Sequence, residues 1–168
     1  YGAFQTRRKS KRLLYLKELK LAREENWEKP ENEAMSEIRE RILRTSVSSG
    51  ERLDADYNLL YKKLKEEVGQ DLKSVMDLGC GINPVSFKPH HFKKIKIHAY
   101  DIDKEDVFFL NKYFKVIGLD GEAHVLDLHD LDKIDKLPEV DLCLLYKVID
   151  PLEEKGHKFS EELIKRIK

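Results

Sequence analysis

The stretch Ser74-Val75-Met76-Asp77-Leu78-Gly79-Cys80-Gly81-Ile82-Asn83-Pro84 constrains this chain more than any other. Its first five residues read as a buried strand, and Gly79 and Gly81 then mark a sharp bend. Glycine accepts positive φ and, lacking a Cβ, lets a ligand approach the main chain. Pro84 suits the start of a helix, where its fixed φ helps and its missing N–H is not needed. Strand, glycine turn and helix start, in that order, form a cradle for a nucleotide-like ligand in an α/β sheet. Asp77, just before the bend, is placed to accept hydrogen bonds there.

The turn is not the dinucleotide fingerprint, because Pro84 stands where the third glycine of G-x-G-x-x-G would fall. The remaining chain is consistent with an open α/β sheet. Short apolar runs predict strands over Ser74–Leu78, Ile95–Tyr100, about His124–Leu126 and Val140–Leu145, alternating with helical or polar segments. Helices are expected over about Lys104–Phe114 and near Ser160–Ile167, with Ser160 close to the start of the latter. Asp77, Asp101 and Asp127 lie near the ends of three successive strands. Such carboxylates face one crevice outside the carboxyl ends of the sheet, where Asp101 could take both hydroxyls of a ribose. Asp127 could receive an adenine amino group, with the Leu128 backbone beside it.

Before the sheet the pattern is helical. Leu13, Leu14, Leu16, Leu19 and Leu21 recur among charges in residues 10–26, until Trp27 and Pro30 interrupt them. A second helix is expected over Glu33–Leu43, then a Ser-rich break from Thr45 to Gly50. A third runs from about Glu51 to Val68 with Leu53, Tyr57, Leu60, Tyr61 and Leu64 as its apolar stripe. The chain thus divides into a helical part, residues 1–70, and an α/β part, residues 71–168. Its 32 basic and 32 acidic residues balance, but residues 1–23 hold eight Lys/Arg against one acid, Glu18. Residues 7–23 therefore form a basic arm suited to RNA, on a mildly acidic body. There is no apolar run long enough to span a membrane and no secretory leader pattern. Cys80 and Cys143 are the only cysteines and form no metal-binding spacing, so a reducing cytoplasmic setting without metal is the expectation.

Asp77-x-Gly79-x-Gly81 resembles motif I of the S-adenosylmethionine-dependent methyltransferases. Cys80-Gly81-Ile82-Asn83-Pro84-Val85 is similar to the form of that motif in the 16S ribosomal RNA guanine-N7 methyltransferases that confer aminoglycoside resistance. The block Asp141 to Glu153, with Tyr146-Lys147-Val148, resembles the fourth strand of that family. Ser48-Ser49-Gly50-Glu51-Arg52-Leu53 resembles the entry to the helix before its catalytic part, and Tyr100-Asp101-Ile102-Asp103 fits the end of its second strand. The likeness spans roughly residues 45–165.

The resemblance implies a Rossmann-like class I methyltransferase sheet, α/β, preceded by an all-helical subdomain that docks on the small ribosomal subunit. The C-terminal strands of such a sheet are missing from the expected elements. It implies S-adenosyl-L-methionine as cofactor and ribosomal RNA as methyl acceptor. Carried over by position, Asp77, Gly79 and Gly81 would shape the methionine end of the pocket, Arg52 could reach the cofactor carboxylate, and Asn83 counts among the cofactor-binding residues. Asp101 and Ile102 would take the ribose, and Asp127 and Leu128 would flank adenine. Tyr146 and Lys147 would line the mouth beside the methyl group as catalytic candidates. Two other readings stay open from the residues alone. One is a non-catalytic RNA-binding module on a degenerate methyltransferase fold; the other is a small-molecule methyltransferase.

Overall fold

The computed structural model describes residues 9–25, 32–54, 56–69, 72–92, 94–146, 148, 149, 152 and 158–167. Among the described residues four helices come first: α1 (Arg12–Glu25), α2 (Glu33–Leu43), α3 (Val47–Asp54) and α4 (Tyr57–Val68). The sheet follows, with β1 (Ser74–Leu78), β2 (Lys96–Asp101), β3 (Gly121–Val125) and β4 (Leu142–Leu144). A 3-10 turn (Asn83–Ser86) and the short helix α5 (Pro89–Phe92) connect β1 to β2. Helix α6 (Lys104–Ile117) connects β2 to β3, α7 (Leu131–Ile134) lies between β3 and β4, and α8 (Phe159–Arg166) comes last.

All strand pairs are parallel, in the order β3-β2-β1-β4. The chain builds outward from β1 through β2 to β3 and then returns to the other side of β1 for β4. The reversal lies between β1 and β4, and ligands of open α/β sheets bind outside the carboxyl ends of the strands at such a point. The glycine turn follows β1, and Tyr146 follows β4.

Side chains alternate across β1. Val75 joins a buried cluster with Leu16 and Leu19 of α1, Met35 and Ile42 of α2, and Phe114 of α6. Met76 and Leu78 join a second cluster on the other face, with Leu128, Ile134 and Leu163. By the two-residue period of a strand, Asp77 shares the face of Val75, beneath the N-terminal helices. The first of these clusters binds the helices to the sheet.

Several boundaries differ from the sequence expectation. The expected helix Glu51–Val68 is two helices, α3 and α4. Asp56 adopts φ 62° and its carboxylate accepts the Asn58 and Leu59 amides, so it caps α4 and starts it afresh. The expected Ser-rich break is helical from Val47, because Gly50 N–H already bonds Ser46 O. Strand β3 begins earlier, at Gly121. Its outer edge is pinned at Ala123 by Asn111, which both donates to the Ala123 carbonyl and accepts from its amide. Helix α8 starts at Phe159, with Ser160 buried in its first turn. The expected interruption at Trp27 and Pro30 lies outside the described residues.

The basic arm is not basic toward solvent throughout. Arg12 is 4 % exposed; its Nη1 donates to Asp106 at 2.5 Å and its Nε to Thr45 Oγ1 at 2.7 Å. Lys9 pairs with Asp103 and Asp106, and Arg23 donates to the Val116 carbonyl at the end of α6. These three cations fasten α1 to α6, because a buried carboxylate such as Asp106 demands a partner. Three basic residues of the stretch from 7 to 23 are thus engaged within the fold. Lys11, Lys17 and Lys20 remain on the surface, and Arg7 and Arg8 lie outside the described residues. Among the described residues, no helix is long and apolar enough to cross a membrane.

Candidate active site

Gly79 and Gly81 adopt φ +65° and +50°, the left-handed region that only glycine enters without strain. Space decides the matter further at Gly79: an added Cβ would lie 2.3 Å from Val148 Cγ1. At Gly81 an added Cβ would meet nothing within 4 Å, so the main chain there lies open. The turn is locked to β2, since Cys80 N–H bonds the Tyr100 carbonyl at 3.0 Å.

Asp101 stands at the end of β2. Its carboxylate accepts the Gly81 amide at 2.6 Å and the Asp103 amide at 2.8 Å. Burial raises its pKa above the usual carboxylate value, against the lowering by those two amides. Each carboxylate oxygen keeps a lone pair, enough to accept ribose hydroxyls. Ile102 beside it is 66 % exposed, an apolar surface available to an adenosine edge.

Asp77 is 1 % exposed. Its Oδ2 accepts from Asn83 Nδ2 at 2.7 Å, and Asn83 Oδ1 accepts from the Tyr57 hydroxyl at 3.0 Å. Tyr57 in turn accepts from Arg52 Nε at 3.0 Å. The Arg52 guanidinium lies 5.3 Å from the centroid of the Tyr146 ring. Burial pushes the Asp77 carboxyl up to about 7; Asn83 and Arg52 oppose the rise and Asp101 adds to it. Burial also takes the Tyr146 phenol to about 12.

Three buried polar atoms in this group have no hydrogen-bond partner among the described residues: Arg52 Nη1, Asp77 Oδ1 and Tyr146 Oη. Buried polar atoms in native proteins are nearly always satisfied. A cationic donor and an anionic acceptor left over beside an open glycine turn fit the carboxylate and ammonium of an amino acid. Among the described residues, no group of three or more His, Cys, Asp and Glu could hold a metal ion.

The candidates named from sequence fall into three sets. Arg52, Asp77, Asn83 and Tyr146 form one connected group, and Gly79, Gly81, Asp101 and Ile102 form the turn and its rim. Asp127 is exposed and accepts from the His129 amide at 2.9 Å, with His129 Nδ1 at 3.0 Å. Leu128 is buried, and its Cδ1 lies 3.6 Å from a Cβ built on Gly79, so this segment borders the turn. Lys147 lies outside the described residues. Tyr57 was missed as a polar residue because its spacing placed it in an apolar helix stripe. Val148, which closes on Gly79, was named only within the Tyr146-Lys147-Val148 block and given no role there.

The family described as ribosomal RNA methyltransferase (FmrO) matches residues 22–168. A search of curated proteins finds no match to the chain. Among solved structures, the 16S rRNA methyltransferase RmtF, solved in complex with S-adenosyl-L-homocysteine, is similar with TM-score 0.71 and 25% identity, over 94% of this chain and 54% of that one. The 16S rRNA methylase RmtB is similar with TM-score 0.68 and 18% identity, over 91% of this chain and 56% of that one. The 16S rRNA methylase ArmA is similar with TM-score 0.55 and 24% identity, over 74% and 61%. The likenesses to RmtB and ArmA bear on the fold alone. The chain spans 54% to 61% of the length of these relatives. With a family match over residues 22–168 and a class I methyltransferase fold, the chain belongs to the ribosomal RNA methyltransferase (FmrO) family.

Proposed function

We propose that this chain carries the S-adenosyl-L-methionine site of an enzyme that methylates ribosomal RNA at N7 of a guanine. The observation that supports it most is the unsatisfied pair Arg52 Nη1 and Asp77 Oδ1 beside the Gly79–Gly81 turn. In this reading Arg52 takes the cofactor carboxylate and Asp77 the ammonium, with Asn83 holding Asp77 in place. Asp101 takes the ribose hydroxyls, Ile102 covers the adenosine edge, and Asp127 and Leu128 flank adenine. Residues 71–168 form the cofactor part. Residues 1–70, with Lys11, Lys17 and Lys20 on the surface, form the part that meets the ribosomal RNA of the small subunit. The chain works in the cytoplasm, where ribosomes are found.

The cofactor supplies a methyl group made electrophilic by its sulfonium. Guanine N7 presents a lone pair and no proton, so the site needs no general base. Positioning is then the main task, and ideal placement is worth roughly 7–11 kcal/mol. Tyr146 and Lys147 are assigned to the acceptor side, next to the reacting methyl. Tyr146, with its phenol held neutral, offers a hydrogen-bond donor and an aromatic face at neutral pH.

The test is transfer of labelled methyl from S-adenosyl-L-methionine to small ribosomal subunits, followed by borohydride and aniline cleavage, which cuts at N7-methylguanine. Label in the RNA and one new cleavage position support the proposal. Label at a different atom refutes the guanine-N7 assignment, and no label in any ribosomal RNA refutes the activity.

A further inference from the structure

The group around Asp77 is connected in one direction. An arginine can only donate, so Arg52 Nε donates to the Tyr57 oxygen at 3.0 Å. The Tyr57 hydroxyl then has one proton, and it goes to Asn83 Oδ1 at 3.0 Å. That leaves the Asn83 amide nitrogen to donate to Asp77 Oδ2 at 2.7 Å. Every proton in the series points from Arg52 toward Asp77, and the two free ends are Arg52 Nη1 and Asp77 Oδ1. Tyr57 links the cation, which sits on α3, to the asparagine that holds the carboxylate of β1.

The link is held stiffly. The Tyr57 ring is buried and stacks on Tyr61 at 5.7 Å. Tyr61 in turn contacts Ser86 Oγ at 2.6 Å, and Ser86 Oγ donates to the Asn83 carbonyl at 2.6 Å. Asn83 is thus fixed at its main chain by Ser86 and at its side chain by Tyr57. The gap between Arg52 and Asp77 is set by this frame and not by the two charged side chains themselves.

We infer that Tyr57 is a positioning residue: it spaces Arg52 and Asp77 as a matched pair for a zwitterionic amino-acid group, and so makes the site select thioether or sulfonium nucleosides that carry that group over those that lack it. The inference rests on the cofactor reading above. It goes further in saying where selectivity resides and which uncharged residue sets it.

The experiment compares S-adenosyl-L-homocysteine with 5′-methylthioadenosine, which has the same nucleoside and thioether but no amino-acid end. Both are titrated calorimetrically into the chain and into Tyr57→Phe, which keeps the ring and its stacking. The expected result is a loss of about tenfold in affinity for S-adenosyl-L-homocysteine, the size of one hydrogen bond to a charged group. Methylthioadenosine binding should stay within about twofold, since its contacts lie elsewhere. Equal weakening of both ligands, or no weakening of either, overturns the role given to Tyr57 while leaving the cofactor site standing. If the unaltered chain binds neither nucleoside, the cofactor reading itself fails.

Discussion

Replacing Asp77 by asparagine removes a carboxylate that folding carries into the interior. Its pKa rises from 3.8 in the open chain to about 7 in the fold, chiefly through burial. Between these values the folded protein holds a proton that the unfolded chain releases. Stability therefore falls as pH rises through this window, and stays level above it. The rise corresponds to about 4 kcal/mol at 1.36 kcal/mol per unit. The substituted side chain keeps an acceptor for Asn83 Nδ2 and has nothing to ionise. At pH 4 the variant and the unaltered chain should match; at pH 8 D77N should be ahead by about 4 kcal/mol, the attraction of Arg52 being already contained in the shift. In a chain of this length that is roughly a 5–15 °C rise in Tm. Urea unfolding at several pH values, extrapolated linearly, measures it. Other titrating groups are common to both proteins and cancel in the difference. If D77N is no more stable at pH 8 and shows the same pH slope, the buried, unpaired carboxylate described here is wrong.

The same carboxylate predicts a pH dependence of ligand binding. The ammonium of S-adenosyl-L-homocysteine needs Asp77 ionised, so affinity should tighten by up to about tenfold per unit as pH rises toward 7 and then level off; calorimetry across pH 5.5–8 checks it. Gly79→Ala should lose ligand binding and destabilise the turn, because φ +65° strains the backbone and the new Cβ meets Val148; thermal unfolding with and without ligand reads both effects. Arg12→Ala removes the closer of the two cations on Asp106 and leaves Lys9, so it should cost about 1.5–3 kcal/mol in urea unfolding, with much of it regained in the double variant Arg12→Met, Asp106→Leu.

The legible parts of the molecule were those in which one local pattern decides. Ser74–Leu78 followed by two glycines specified β1 and its turn to the residue, because the apolar run and the positive-φ bend leave few alternatives. Helix α2 matched Glu33–Leu43, where an Asn32 cap and an apolar face agree. The break between α3 and α4 was hidden because it depends on the backbone of a single residue, Asp56, inside a run that stays helical in pattern. The start of strand β3 was missed because Gly121 and Glu122 look polar; as an edge strand it is held by Asn111 from outside its own sequence. The internal use of Lys9, Arg12 and Arg23 was likewise invisible. Composition counts charges but does not say that Asp103 and Asp106, over ninety residues away, will claim two of them. At the site, Asp77, Asn83 and Asp101 were visible from the motif. Tyr57 was not, since its hydroxyl matters only once α4 is folded against β1.

Every functional assignment above requires that the turn after β1 receives the cofactor. The most direct measurement is a titration of the 15N-labelled chain with S-adenosyl-L-homocysteine, followed by its amide spectrum. The Gly79, Gly81, Ile102 and Leu128 signals are expected to shift together along one saturating curve. Saturable binding that moves signals elsewhere and leaves these four still, or no saturable change at all, contradicts a cofactor site at this turn.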